Sequence, residues 1–125
     1  MDLVKFFFQF QSDLKLYHWV TLSHPRHLAS GTLHDSLIIL VDKFMEIYFG
    51  KYGRVNTSGF TINITQHSDD NMVEVLKEAN RILQSLESQH PIIYSKISKK
   101  DTELLNIRDE MVGLINQTLY LFELR

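Results

Sequence analysis

Three histidines, His18, His24 and His27, fall within the thirteen residues of "KLYHWVTLSHPRH", beside the only tryptophan of the chain, Trp19. Further on, Asp42 and Glu46 in "VDKFME" stand four residues apart, which on a helix makes them neighbours on one face. Imidazole nitrogen and carboxylate oxygen together form a donor set that suits iron. Paired carboxylates beside an apolar stripe are a usual way for a helix to carry such a site. The plainer alternatives are an acidic pair on a solvated face and a polar corner between two helices. A third spacing, Glu87 to His90 in "ESQH", fits Glu-x-x-His, but it abuts Pro91 and has no second copy, so chance explains it better. His24, before a proline, reads as exposed, His34–Asp35 as a surface pair or a contact between copies, and His67 as part of a connection.

The elements that must position these residues are helical. Leu3, Phe7, Phe10, Leu14 and Tyr17 recur at three- and four-residue steps, the period of one helix face. Leu33, Leu37, Leu40, Val41, Phe44 and Tyr48 repeat the pattern, as do Met72 to Leu86 and Leu104 to Phe122. Four helices are expected, over about 2–22, 25–50, 69–89 and 102–123. Ser23 and Pro25 open the second, Gly50 and Gly53 close it, and Ser68 to Asn71 cap the third. "QHP", Gln89 to Pro91, ends or kinks the third, and Asp101 or Thr102 opens the fourth.

Connection lengths imply topology. A few residues join the first two helices and about ten join the last two, so each pair should form an antiparallel hairpin. The intervening stretch, about 51–68, is long enough to run the length of a bundle and reverse direction. Its alternating "TINIT" suggests an extended piece packed on the helices. The expected fold is therefore all-α, a single four-helix bundle over 1–125 made of two antiparallel hairpins and a long crossover.

That geometry divides the candidate site. His18 and His27 lie at the same end of the first hairpin. Fifteen residues separate His27 from Asp42, about 22 Å along a helix, with faces about 60° apart. One chain thus offers two half-sites at opposite ends. A second copy, with its second helix antiparallel to the first, would unite them, and a two-fold dimer would make two such sites.

Composition excludes other classes. The absence of cysteine removes disulfides, thiolate zinc sites and cysteine nucleophiles. A net charge of −2 argues against binding nucleic acid through its phosphates, and "SKISKK", Ser95 to Lys100, reads as a solvated loop. No stretch approaches the about 20 apolar residues of a membrane span. The aromatic N-terminal run lacks the basic start of an export signal, so the sequons at Asn63 and Asn116 carry no expectation of glycosylation and a cytoplasmic location is expected. The run Phe6 to Phe8 covers more than one helix face and is read as core plus partner contact.

His18-Trp19, then His27, then Asp42 and Glu46, resembles the ferroxidase signature of the miniferritins, the Dps-type branch of the ferritin-like superfamily. The string is also similar to that of small ferritin-like proteins of large DNA viruses and phages, where Phe44, Met45 and "GKYG", Gly50 to Gly53, extend the match. The resemblance covers Leu14 to Arg54. It implies a ferritin-like bundle that binds iron and oxidises Fe(II) at a site shared across a homodimer, with a larger assembly and a viral, virion-associated setting among its implications. His18 and His27 would be ligands from one subunit, Asp42 and Glu46 from its mate, and Trp19 the aromatic beside the metal, with a role as core anchor as its alternative. Gly31 stands where many members carry an acid one turn after the second histidine, and close approach of another helix is the expected reason for it. The basic tail that binds DNA in some members is absent. The alternative function is a non-catalytic bundle with a structural or interaction role.

Overall fold

A computed structural model describes residues 2–55, 59–88 and 92–124 of the chain. Asp2 opens the first helix by accepting the backbone N–H of Lys5 at 2.9 Å, and α1 runs Leu3–Val20. Its buried stripe, Leu3, Phe6, Phe7, Phe10, Leu14 and Tyr17, follows the helical period. Ser23 caps the next helix through Arg26 N–H, and α2 runs His24–Tyr52. Gly50 lies inside α2. Gly53, at φ 87°, ends it, in the left-handed region that glycine enters without steric cost.

Ser68 caps α3, Asp69–Gln84, and Asp69 and Asp70 in its first turn suit the helix dipole. The apolar spacing continues to Leu86, which is buried, yet the helix stops at Gln84. The hydroxyls of Ser85 and Ser88 donate to the carbonyls of Ile82 and Ser85 at 2.7 and 2.8 Å. Such local bonds compete with the helical ladder. The expected stop at Gln89 to Pro91 lies outside the described residues. The connection to α4, Thr102–Leu121, is therefore longer than the expected ten residues. Part of it is core, since Ile93 and Ile97 are buried, and Tyr94 bridges to the backbone of Asp2.

Side-chain bonds give the direction of every helix. Tyr17 and Thr21, at the end of α1, both donate to Asp69 Oδ1, at the start of α3. Arg26, at the start of α2, donates to the Asp69 carbonyl and covers the ring of Phe122 at the end of α4. At the opposite end, Lys51 and Tyr52 bond Asp101, just before α4. α1 and α4 thus run one way and α2 and α3 the other, and the chain must travel the length of the bundle between α2 and α3. It does so along α1: Phe60 packs on Phe8, Asn63 exchanges bonds with Gln9, and Thr65 N–H reaches Asp13. The expected packed crossover is present, and "TINIT" does not pair as a strand.

The fold is an all-α four-helix bundle, with Leu14, Tyr17, Leu37, Phe44, Leu76 and Met111 among its most enclosed side chains. Among the described residues no helix is long and apolar enough to cross a membrane.

Candidate metal centre

α1 ends at Val20 because Thr21 turns extended, and Ser23 restarts the chain as α2 two residues later. This tight corner brings His18 and His27 together. Nδ1 of His18 lies 2.7 Å from the carbonyl oxygen of His27, and Nδ1 of His27 lies 2.8 Å from that of His18. The rings stack with centroids 4.1 Å apart and planes 11° apart. A carbonyl can only accept, so both Nδ1 atoms carry protons. In the neutral rings this leaves each Nε2 with a free lone pair. An Nδ1–H held by a backbone carbonyl is the usual way an imidazole ligand is oriented. The bond from His27 also satisfies the His18 carbonyl, one of those that the end of α1 leaves without helical partners.

Two small residues make room for the pair. Ser30 is fully buried and donates to the His27 carbonyl at 3.2 Å. A Cβ at Gly31 would lie 2.6 Å from Cε1 of His18. The close approach expected at Gly31 is made by an imidazole of α1, not by the body of another helix. Adjacent small residues three and four positions after His27 were the signal for this, and only with His18 already placed could it be read.

Asp42 and Glu46 are exposed on α2. Asp42 borders a cleft of about 480 Å³ between α1 and α2, whose walls include Phe7, Phe8, Ile38, Ile39 and Met45. Phe8, Ile38 and Ile39 are themselves exposed, so the run Phe6 to Phe8 divides as its pattern implied, with Phe6 and Phe7 in the core. His27 and the carboxylates occupy separate parts of α2, with His18 on α1, and among the described residues no group of three or more His, Asp or Glu side chains gathers as a metal cage.

Trp19 is 67% exposed, with Lys15 Nζ 5.6 Å from its ring centre. It is not a core anchor, because it sits on the face of α1 that turns away from the bundle.

The remaining histidines separate cleanly. His24 is exposed. His34 is buried, with Nδ1 3.4 Å from Asp35, so it is no surface residue: its position on α2 follows the buried Ser30 and Leu33 toward the core. His67 approaches the buried Asp13 at 3.5 Å. Glu87 pairs with Arg108 at 2.6 Å, which gives it a structural role, and His90 lies outside the described residues. "GKYG" also has a structural account. Burial opposes the charge of Asp101, but Lys51, Tyr52 and the Ser98 N–H outweigh it and hold its carboxyl down at about 2.

Residues 18–122 match the model of DUF5856, a family of unknown function. The chain belongs to the DUF5856 family. The match begins at His18 and takes in all of α2, so this member's histidine pair and both carboxylates lie within the shared region. No curated protein and no solved structure matches the chain.

Proposed function

We propose that this DUF5856 member is a ferritin-like, Dps-type iron-binding protein that oxidises Fe(II) at sites shared between two copies of the chain. His18 and His27 of one copy would face Asp42 and Glu46 of the other. Iron is then a substrate: Fe(II) is held by hard oxygen and imidazole donors and gives its electron to dioxygen or peroxide. The observation that carries this reading is the reciprocal pair of Nδ1–carbonyl bonds, which leaves both Nε2 lone pairs for a ligand role. The exposed apolar residues beside Asp42 support a second copy as the source of the missing donors.

The stacking constrains stoichiometry. Lone pairs that lie in two separate, nearly parallel ring planes cannot both point at one ion about 2.1 Å away. Each imidazole therefore serves its own ion, or one ring turns on binding.

Anaerobic titration with Fe(II) tests the reading. About one or two ions should bind per chain, and the double substitution Asp42→Ala, Glu46→Ala should abolish binding. Unchanged binding in that variant, or a monomer under binding conditions, overturns the proposal, because one chain cannot bridge about 22 Å.

A second reading is a non-catalytic interaction bundle. It is favoured by the same corner seen differently: the stacked, doubly bonded rings already join α1 to α2 without any ion. Under it, His18→Ala loosens the bundle and Fe(II) does not bind.

A further inference from the structure

The cleft between α1 and α3 carries chemistry that the iron reading does not use. These two helices touch only sparsely, and the space between them is about 420 Å³, within the range of small-molecule sites. Because α1 and α3 run in opposite directions, the cleft changes character along its length. Phe6 and Ile82 line one end, Phe10 and Ala79 the middle, and Asp13, His67, Asn71 and Glu74 the other.

Two observations mark the polar end as incomplete. Asp13 is buried, at 7% exposure, and no lysine or arginine pairs with it among the described residues. It accepts from Gln9 and the Thr65 N–H, neither of which carries charge. Buried carboxylates are ordinarily paired. The ionisable neighbour of Asp13 is His67, whose Nε2 is sealed from solvent 3.5 Å from Asp13 Oδ2 without forming a hydrogen bond. Glu74 adds a second carboxylate whose nearest cation, Lys77, is 3.7 Å away on the exposed face. No lysine or arginine lines the cleft.

We infer that this cleft binds a small organic ammonium ion, its apolar body against Phe6, Phe10 and Ile82 and its charged head toward Asp13 and Glu74. The occupant follows from complementarity: the cleft is apolar at one end and carries Asp13 and Glu74 beside His67 at the other. An ammonium head can donate to the carboxylates and to the His67 Nε2 lone pair, whereas a neutral ligand adds no counter-charge and an anion is repelled.

Titration of the ¹⁵N-labelled full chain with 2-phenylethylammonium, followed by backbone amide shifts, tests this. Binding at about 1 mM or tighter should shift amides of α1 and α3 along the cleft. The neutral 2-phenylethanol and the anionic 3-phenylpropionate should bind at least about fivefold more weakly. Glu74→Gln, at an exposed position that leaves the fold alone, should weaken the ammonium by about threefold. Asp13→Asn should weaken it further, with retained amide dispersion reporting an intact bundle. The inference is overturned by no shifts at the cleft, by equal affinity for the three probes, or by unchanged ammonium affinity in both variants. Iron binding is expected to be indifferent to Glu74→Gln, so failure here is distinguishable from failure of the iron site.

Discussion

A methyl group added at Gly31 would sit 2.6 Å from Cε1 of His18 and 3.0 Å from its Nδ1. Replacing a mid-helix glycine by alanine gains about 1 kcal/mol of helix propensity. Displacing the His18 ring sacrifices its bond to the His27 carbonyl, a loss of about 0.5–1.5 kcal/mol. The two effects nearly cancel, because the obstructing atoms belong to a side-chain end that can swing away. Gly31→Ala should therefore change unfolding free energy by less than about 1 kcal/mol while destroying the stacked arrangement. Long-range ¹H–¹⁵N spectra of the imidazoles check this: the Nδ1–H pattern of His18 should be lost in the variant. A fall in stability above about 3 kcal/mol would mean that the ring is fixed and the helices move instead.

The element that carries the histidines is held at its far end by a polar clasp. Lys51 and Tyr52 at the end of α2 meet Asp101 before α4, and Lys51 also reaches Glu103. The Asp101 carboxyl, ordinarily at 3.8, is held at about 2 in the folded chain. A depressed acid contributes stability that is fully present above its unfolded value and lost as pH falls through the folded one. Stability from this clasp should thus be flat above about pH 4 and decline toward pH 2. Asp101→Asn should cost about 1.5–3 kcal/mol at pH 7, the worth of a charged hydrogen bond, and should flatten that decline. Urea unfolding at pH 7 and pH 3 measures both. A variant that keeps the full acid slope would place the loss in other carboxylates.

None of that clasp is legible in the sequence, because Lys51 and Asp101 lie fifty residues apart and periodicity sees only neighbours. The four helices are legible, since each stripe is long and the starts of α1, α2 and α3 carry capping side chains. The direction of the crossover follows from its length. The end of α3 is missed because Leu86 keeps the apolar period and its burial while Ser85 takes the backbone out of the helix. At the candidate site, the meeting of His18 and His27 follows from the short turn. Their reciprocal bonds and stacking depend on Ser30 and Gly31, whose smallness leaves no mark in an apolar pattern.

On the scale of the whole molecule, the proposed function stands on the arrangement of two chains. In a two-fold dimer each site takes its histidines from one copy and its carboxylates from the other. A chain carrying His18→Ala and His27→Ala spoils one half of every site it joins, and a chain carrying Asp42→Ala and Glu46→Ala spoils the other half. Each variant alone should bind no Fe(II). When equal amounts are unfolded, mixed and refolded, about half of the dimers contain one of each kind. In such a dimer the intact histidines of the second variant face the intact carboxylates of the first, while the other site lacks both sets. One site in two is restored in half of the dimers, so the mixture should regain about one quarter of wild-type Fe(II) capacity. No site confined to a single chain can produce that recovery. Recovery of nothing, in a mixture shown by mass to contain mixed dimers, would reject the shared site, and binding by either variant alone would reject the ligands assigned to it.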